Sequence, residues 1–207
     1  MVTPPFDLTR VLGSVWCVTV TGLPVAEALR RLGVPHFADL PDGAELASRR
    51  LAEAAALRER AVLVLARRVE PGRTLLVELE SVLGWRGGDP GVLGDLATSA
   101  TGMACAVIKD PNRTTVLFTQ PAECEENDEG AVSFDAVTGL LRGSPGGHVS
   151  KALSDAGLLD LSGAADSWTP SQRAAHALRV ATGVRLGPDI WGGPWTGGMS
   201  AGLFGGP

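Results

Sequence analysis

The sequence predicts an α+β domain: a mixed or mainly antiparallel sheet of about five or six strands with four or five helices packed on it. Two turn tetrapeptides, Glu70-Pro71-Gly72-Arg73 and Asp110-Pro111-Asn112-Arg113, each join two β-rich runs into a hairpin. Between the strands lie segments with apolar residues at helical spacing and with capping residues at their ends. Hydrophobic residues make up 44% and charged residues 20% of the 207-residue chain, enough to bury the core of one domain.

Val15–Thr21 is rich in β-branched residues and reads as a strand that Gly22 stops. Pro24–Leu32 reads as a helix, with proline in its first turn, Gly33 past its end, and Leu23, Ala26, Leu29 and Leu32 on one face. Asp42–Arg60 is a second helix, in which Asp42 and Glu45 have the spacing of a capping box. Ala61–Val69 reads as a strand rather than as more helix, because the turn at Glu70 leads into a second β-rich run, Thr74–Glu80. The loop Gly84–Asp89 follows, and Asp89 caps a short helix over Pro90–Ser99. Met103–Ile108 and Thr114–Gln120 form the second hairpin, and Ala131–Val137 alternates as a further strand. Val149–Ala156 is a helix ended by Gly157, and Ser162–Thr169 is a polar loop. Pro170–Thr182 is the last helix, with Thr169 as its N-cap and Gly183 as its stop. The glycine density after Trp191 predicts no helix or strand, so the domain is expected over 1–190 and a glycine- and tryptophan-rich tail over 191–207.

Several of these stretches resemble a family of uncharacterised domains widespread in actinobacteria. They are Trp16-Cys17-Val18-Thr19-Val20 with Gly22 and Glu27–Gly33, then Thr74–Glu80 with Gly84-Trp85. Pro90-Gly91-Val92-Leu93 before Leu96, the strands from Met103 to Phe134, and Ala177-Leu178 through Thr182-Gly183-Val184-Arg185-Leu186 complete the match over residues 12–190. The resemblance implies no activity, and it does not extend to the tail.

Composition narrows the function classes. The net charge of −5 speaks against a nucleic-acid partner, and no apolar run is long enough to cross a membrane. Met1–Arg10 lacks the order of a secretory signal, and the three cysteines, Cys17, Cys105 and Cys124, have no disulfide or metal spacing. A cytoplasmic protein with no cofactor and no metal is therefore expected. Phosphate-loop patterns are absent. Gly198-Met199-Ser200-Ala201-Gly202 matches a nucleophile elbow, but no Asp or His follows it to complete a triad. Glu123–Gly130 superficially matches a calcium loop, but Ala136 stands where the bidentate glutamate is needed. The doublets Arg30-Arg31, Arg49-Arg50 and Arg67-Arg68 read as solvated faces, and His176 as a packed or rim histidine. His148, after Gly146-Gly147, is the candidate general base.

The leading expectation is a non-enzymatic cytoplasmic protein-interaction module, immunity-like or regulatory. Its partner contacts are expected at Trp191, Trp195, Met199, Leu203 and Phe204 of the tail and at Glu125, Glu126 and Asp128 of the acidic loop. The tail's large apolar groups either dock on the parent domain, serve that partner, or form the peptide substrate of modifying enzymes on a precursor or carrier. A small hydrolase or transferase using His148 is the further alternative.

Overall fold

A computed structural model of the chain describes residues 4–55, 61–79, 85–97, 102–119, 131–143, 147–159, 161 and 163–201. The strands are β1 (Trp16–Thr21), β2 (Phe37–Leu40), β3 (Ala61–Val69), β4 (Arg73–Leu79) and β5 (Ala104–Lys109), then β6 (Thr114–Thr119), β7 (Ala131–Asp135), β8 (Leu140–Arg142) and β9 (Trp195–Ala201). All nine form one antiparallel sheet in the order β2-β9-β3-β4-β1-β5-β6-β7-β8. The helices are α1 (Thr9–Leu12), α2 (Val25–Arg31), α3 (Ala44–Ala55), α4 (Pro90–Leu96), α5 (Gly147–Asp155) and α6 (Pro170–Thr182). The α+β class with an antiparallel sheet is thus correct. The element counts are larger than expected, because β2, β8, β9 and α1 join those read from the sequence.

The sheet is covered on both faces. Trp16, Val18 and Val20 of β1 point into a core shared with α3, α5 and α6. Cys17 on the same strand points into a second core with Leu29 of α2 and Leu93 of α4. Every residue of β1 is buried, Thr19 and Thr21 included, because the sheet is covered on both faces. α6 starts where the Thr169 side chain accepts from the Gln172 amide, while Gln172 Oε1 accepts from the Thr169 amide. It ends at Gly183, whose φ of +78° is left-handed. Asp89 caps α4 by accepting from the Val92 amide.

The expectation that 191–207 holds no regular element is corrected by β9. Trp195–Ala201 lies between β2 and β3, with Gly198 opposite Val64 on one side and Phe37 on the other. Glycine occurs there for a steric reason. A Cβ on Gly198 would stand 2.6 Å from Val34 Cγ1 and collide with the carbonyl oxygen of His36. The chain leaving α2 crosses the strand so closely that a side chain has no room. The energetic weakness of glycine in a strand is offset by pairing on both sides and by Trp195, which is 2% exposed.

Gly198→Ala is expected to lower stability by about 1–3 kcal/mol through overpacking. Gly192→Ala, where an added Cβ meets nothing within 4 Å, is expected to change it by less than about 0.5 kcal/mol. Urea unfolding of the two variants beside the parent chain measures the difference.

Candidate functional site

The site is built at the C-terminal end of α6. Once Gly183 has turned the chain, Val184 and Leu186 are buried while Arg185 between them is exposed. Two anchors of alternating sense therefore aim the Arg185 guanidinium outward. The Thr182 hydroxyl fixes the start of this segment, donating to Leu178 O at 2.7 Å and accepting from the Val184 amide at 3.2 Å. About one turn before the helix stop stands Arg179, and about two turns before it His176.

The N-terminal segment before α1 supplies the facing wall. Gln172 Nε2 donates to Pro5 O at 3.0 Å, and the Thr169 hydroxyl donates to Asp7 at 3.2 Å. Asp7 also accepts from the Thr9 amide and hydroxyl. Burial acts to raise its pKa, but the hydrogen bonds from Thr9, Ser171 and Thr169 prevail and hold it below the usual carboxylate value. Phe6 is thereby placed across from α6.

Pro4, Pro5, Phe6, Trp168, His176 and Pro188 line a cavity of about 460 Å³, with Arg179 and Arg185 at its side. His176 meets Trp168 edge to face, ring centroids 5.1 Å apart. Burial, then the charge of Arg179, push the imidazole pKa below its ordinary value. The shift favours the neutral ring, which has one nitrogen to donate and one to accept. Arg185, Gly187 and Pro188 also border a wider trough of about 970 Å³ that runs to the β3–β4 turn at Glu70-Pro71-Gly72. Among the described residues, no carboxylate is paired with Arg179 or Arg185.

The far wall of the trough is held from within. The Arg67 guanidinium donates to the carbonyls of Ile190 and Gly192 and lies 5.3 Å from the centre of the Trp195 ring. Arg68 donates to Leu23 O and Thr74 Oγ1. Arg67 of this doublet is thus a half-buried tie, while Arg68 is exposed, as expected of a solvated face, and still bonded to the backbone. Trp191 and Trp195 stack with centroids 6.0 Å apart, both buried, and Met199 packs half-buried on the same core. Their apolar surface is spent inside the domain and offers a partner little to grip.

Leu203, Phe204, Glu125, Glu126 and Asp128 lie outside the described residues. So does the side chain of His148, whose backbone is in the first turn of α5. Ser200 is buried on β9 rather than exposed at an elbow between a strand and a helix. Among the described residues, no three or more His, Cys, Asp or Glu side chains are grouped to hold a metal ion, and no helix is long and apolar enough to cross a membrane. Compared with protein-family models, curated proteins and solved structures, the chain matches none.

The sequence offers no site motif for the groove: His176 reads there as a packed or rim histidine and Arg67-Arg68 as a solvated face. The available signal was Val184-Arg185-Leu186, a cation alternating with apolar residues directly after a helix stop. Nothing in the local sequence ties it to Phe6 or Trp168, because that juxtaposition is made by tertiary packing.

The His176 imidazole is expected to titrate below the ordinary value near 6.5, and Arg179→Gln to raise its midpoint by removing a like charge. NMR titration of the imidazole protons in both chains tests this.

Proposed function

We propose that the protein is a binding module that holds an extended, carboxylate-bearing segment of a protein partner along the groove beside α6. The observation that carries this reading is the pair of exposed guanidiniums, Arg179 and Arg185, set beside an aromatic and proline-lined cavity on a chain whose net charge is −5. Guanidinium forks match carboxylates in a bidentate manner, and aromatic rings and prolines offer apolar surface at low entropic cost. The two connected hollows give room for several residues of extended chain, with Arg185 at their junction.

This retains the interaction module expected from the sequence and moves its contact surface from the tail to the groove. Pairing of Trp195–Ala201 on both sides supports it over a carrier whose C-terminal segment is handed to modifying enzymes. The free, buried thiols of Cys17 and Cys105 go with a reducing, cytoplasmic setting. The reading would make the chain a partner-binding member of the actinobacterial domain family it resembles.

The test uses fluorescein-labelled nonapeptides carrying several carboxylates beside one aromatic residue, with carboxamide versions as controls. Acidic peptides are expected to bind, more weakly as salt rises, and Arg179→Glu with Arg185→Glu to reduce affinity by roughly tenfold or more. Arg142→Glu on β8, away from the groove, is expected to leave binding unchanged. Equal affinity for the carboxamide peptides, or indifference to the double reversal, would overturn the reading.

A further inference from the structure

On the opposite face of the sheet a carboxyl group is buried with no cation bonded to it among the described residues. Glu78 of β4 is 1% exposed and faces the layer of α2 and α4, directly across from Cys17 on β1. Its two oxygens divide two backbone donors: Oε2 accepts from the Arg86 amide and Oε1 from the Gly87 amide, each at 2.8 Å. Both donors belong to the one-turn 3-10 helix Arg86–Gly88 that leads through Asp89 into α4. Gly87 sits directly on the site. A Cβ there would stand 2.7 Å from Glu78 Oε1, 3.4 Å from Cys17 Sγ, and overlap Thr19 Oγ1.

We propose that Glu78 is a proton-operated latch: as a carboxylate it grips both amides and holds the Trp85–Asp89 turn on the sheet, and as an acid it releases one of them. A protonated carboxyl has one hydroxyl oxygen, a poorer acceptor than a carboxylate oxygen, so two equivalent N–H bonds are no longer available. The movement has a fixed pivot. The far end of α4 is tied separately, where Leu96 O accepts from the Thr21 hydroxyl at 2.6 Å and Asp95 O accepts from Arg31 at 2.6 Å. Release therefore loosens the N-terminal end of α4 and the turn before it, while the other end stays anchored.

The proton equilibrium falls in a useful range. Burial pushes the Glu78 pKa up to about 7, against the Gly87 and Arg86 amides, the Cys17 thiol hydrogen bond and the Arg86 charge, which lower it. The Cys17 thiol is itself pushed far up by burial and by the Glu78 charge, and burial likewise raises that of Cys105 on β5, so neither competes for the proton. From the 3-10 turn the charged neighbour is Arg86. The charged groups of α2 (Glu27, Arg30 and Arg31) and of α4 (Asp95) belong to exposed residues or surface contacts; of the described β3 residues facing this layer, Val62, Val64 and Ala66 carry no charge, and Arg68 is bonded to Leu23 O and Thr74 Oγ1, four residues along β4 from Glu78. Because the folded chain holds this proton more tightly than the unfolded chain, the group's contribution to global stability falls as pH rises from about 4.5 to about 7. The turn itself tightens over the same range. Opposite signs for global stability and local order distinguish a latch from an ordinary structural carboxylate.

The experiment is ¹⁵N–¹H NMR of the full chain from pH 5.5 to 8.5. The Arg86 and Gly87 amides are expected to shift together with a midpoint near 7, and in Glu78→Gln to stay fixed. Flat amide shifts in the parent chain, or the same titration in the variant, would overturn the proposal. Should Glu78→Gln not fold, the Glu78 carboxyl carbon is followed in the parent chain by ¹³C NMR. A midpoint within about one unit of 7 supports the latch, and one near the ordinary glutamate value contradicts it.

Discussion

The architecture depends on the entry of the last described strand, Trp195–Ala201, between β2 and β3. Without it β2 has no neighbour, and β3 becomes an edge with unpaired backbone groups. The entry is possible because glycine at 198 admits the chain that crosses from α2 to β2, and because Trp195 fills the core on the other face. A segment that is locally the least structured in the sequence thus completes the sheet. Residues far apart along the chain supply both of its neighbours, so its order is tertiary in origin.

The same strand couples the fold to the groove. Arg67 lies over Trp195 and donates to Ile190 and Gly192, so the β3–β4 hairpin, the Pro188–Trp191 turn and β9 are tied at one point. The hairpin and the Pro188–Trp191 turn form the far wall of the trough in which Arg185 stands, and β9 braces them from behind. On the other wall, Arg173 has a buried guanidinium that donates to the carbonyls of Ala136, Val137, Ala165 and Asp166, fixing α6 against its neighbours. With Arg67 and Arg173 engaged internally, Arg179 and Arg185 face outward beside the cavity, and Arg68, Glu70 and Asp189 add exposed charge along the trough.

What the sequence made legible follows from where the ordering forces lie. Hairpins at Glu70–Arg73 and Asp110–Arg113, and the caps Thr169, Asp89 and Gly183, are local devices, and the elements they bound are legible in the sequence. β8 is three residues long and β2 four, too short for a periodic signal, and both are edge strands defined by a partner. The glycine content of β9 predicts no strand when the segment is considered alone, because both pairing partners lie far away along the chain. The groove was hidden for the same reason: Phe6, Trp168 and Arg185 meet only after α6 has docked on the sheet. Glu78 was hidden inside a β-rich run, where nothing in its own neighbours announces a buried carboxylate opposite a glycine-rich turn.

Native-state hydrogen exchange tests the central claim most directly, by comparing the Trp195–Ala201 amides with those of Ala61–Val69. If β9 is an integral interior strand, its slowest amides share the opening free energy of β3 to within about 1 kcal/mol, the whole sheet opening as one unit. Exchange of β9 at the rates of a fraying terminus, with β3 and β4 still protected, would show that the sheet closes without it and would contradict the account.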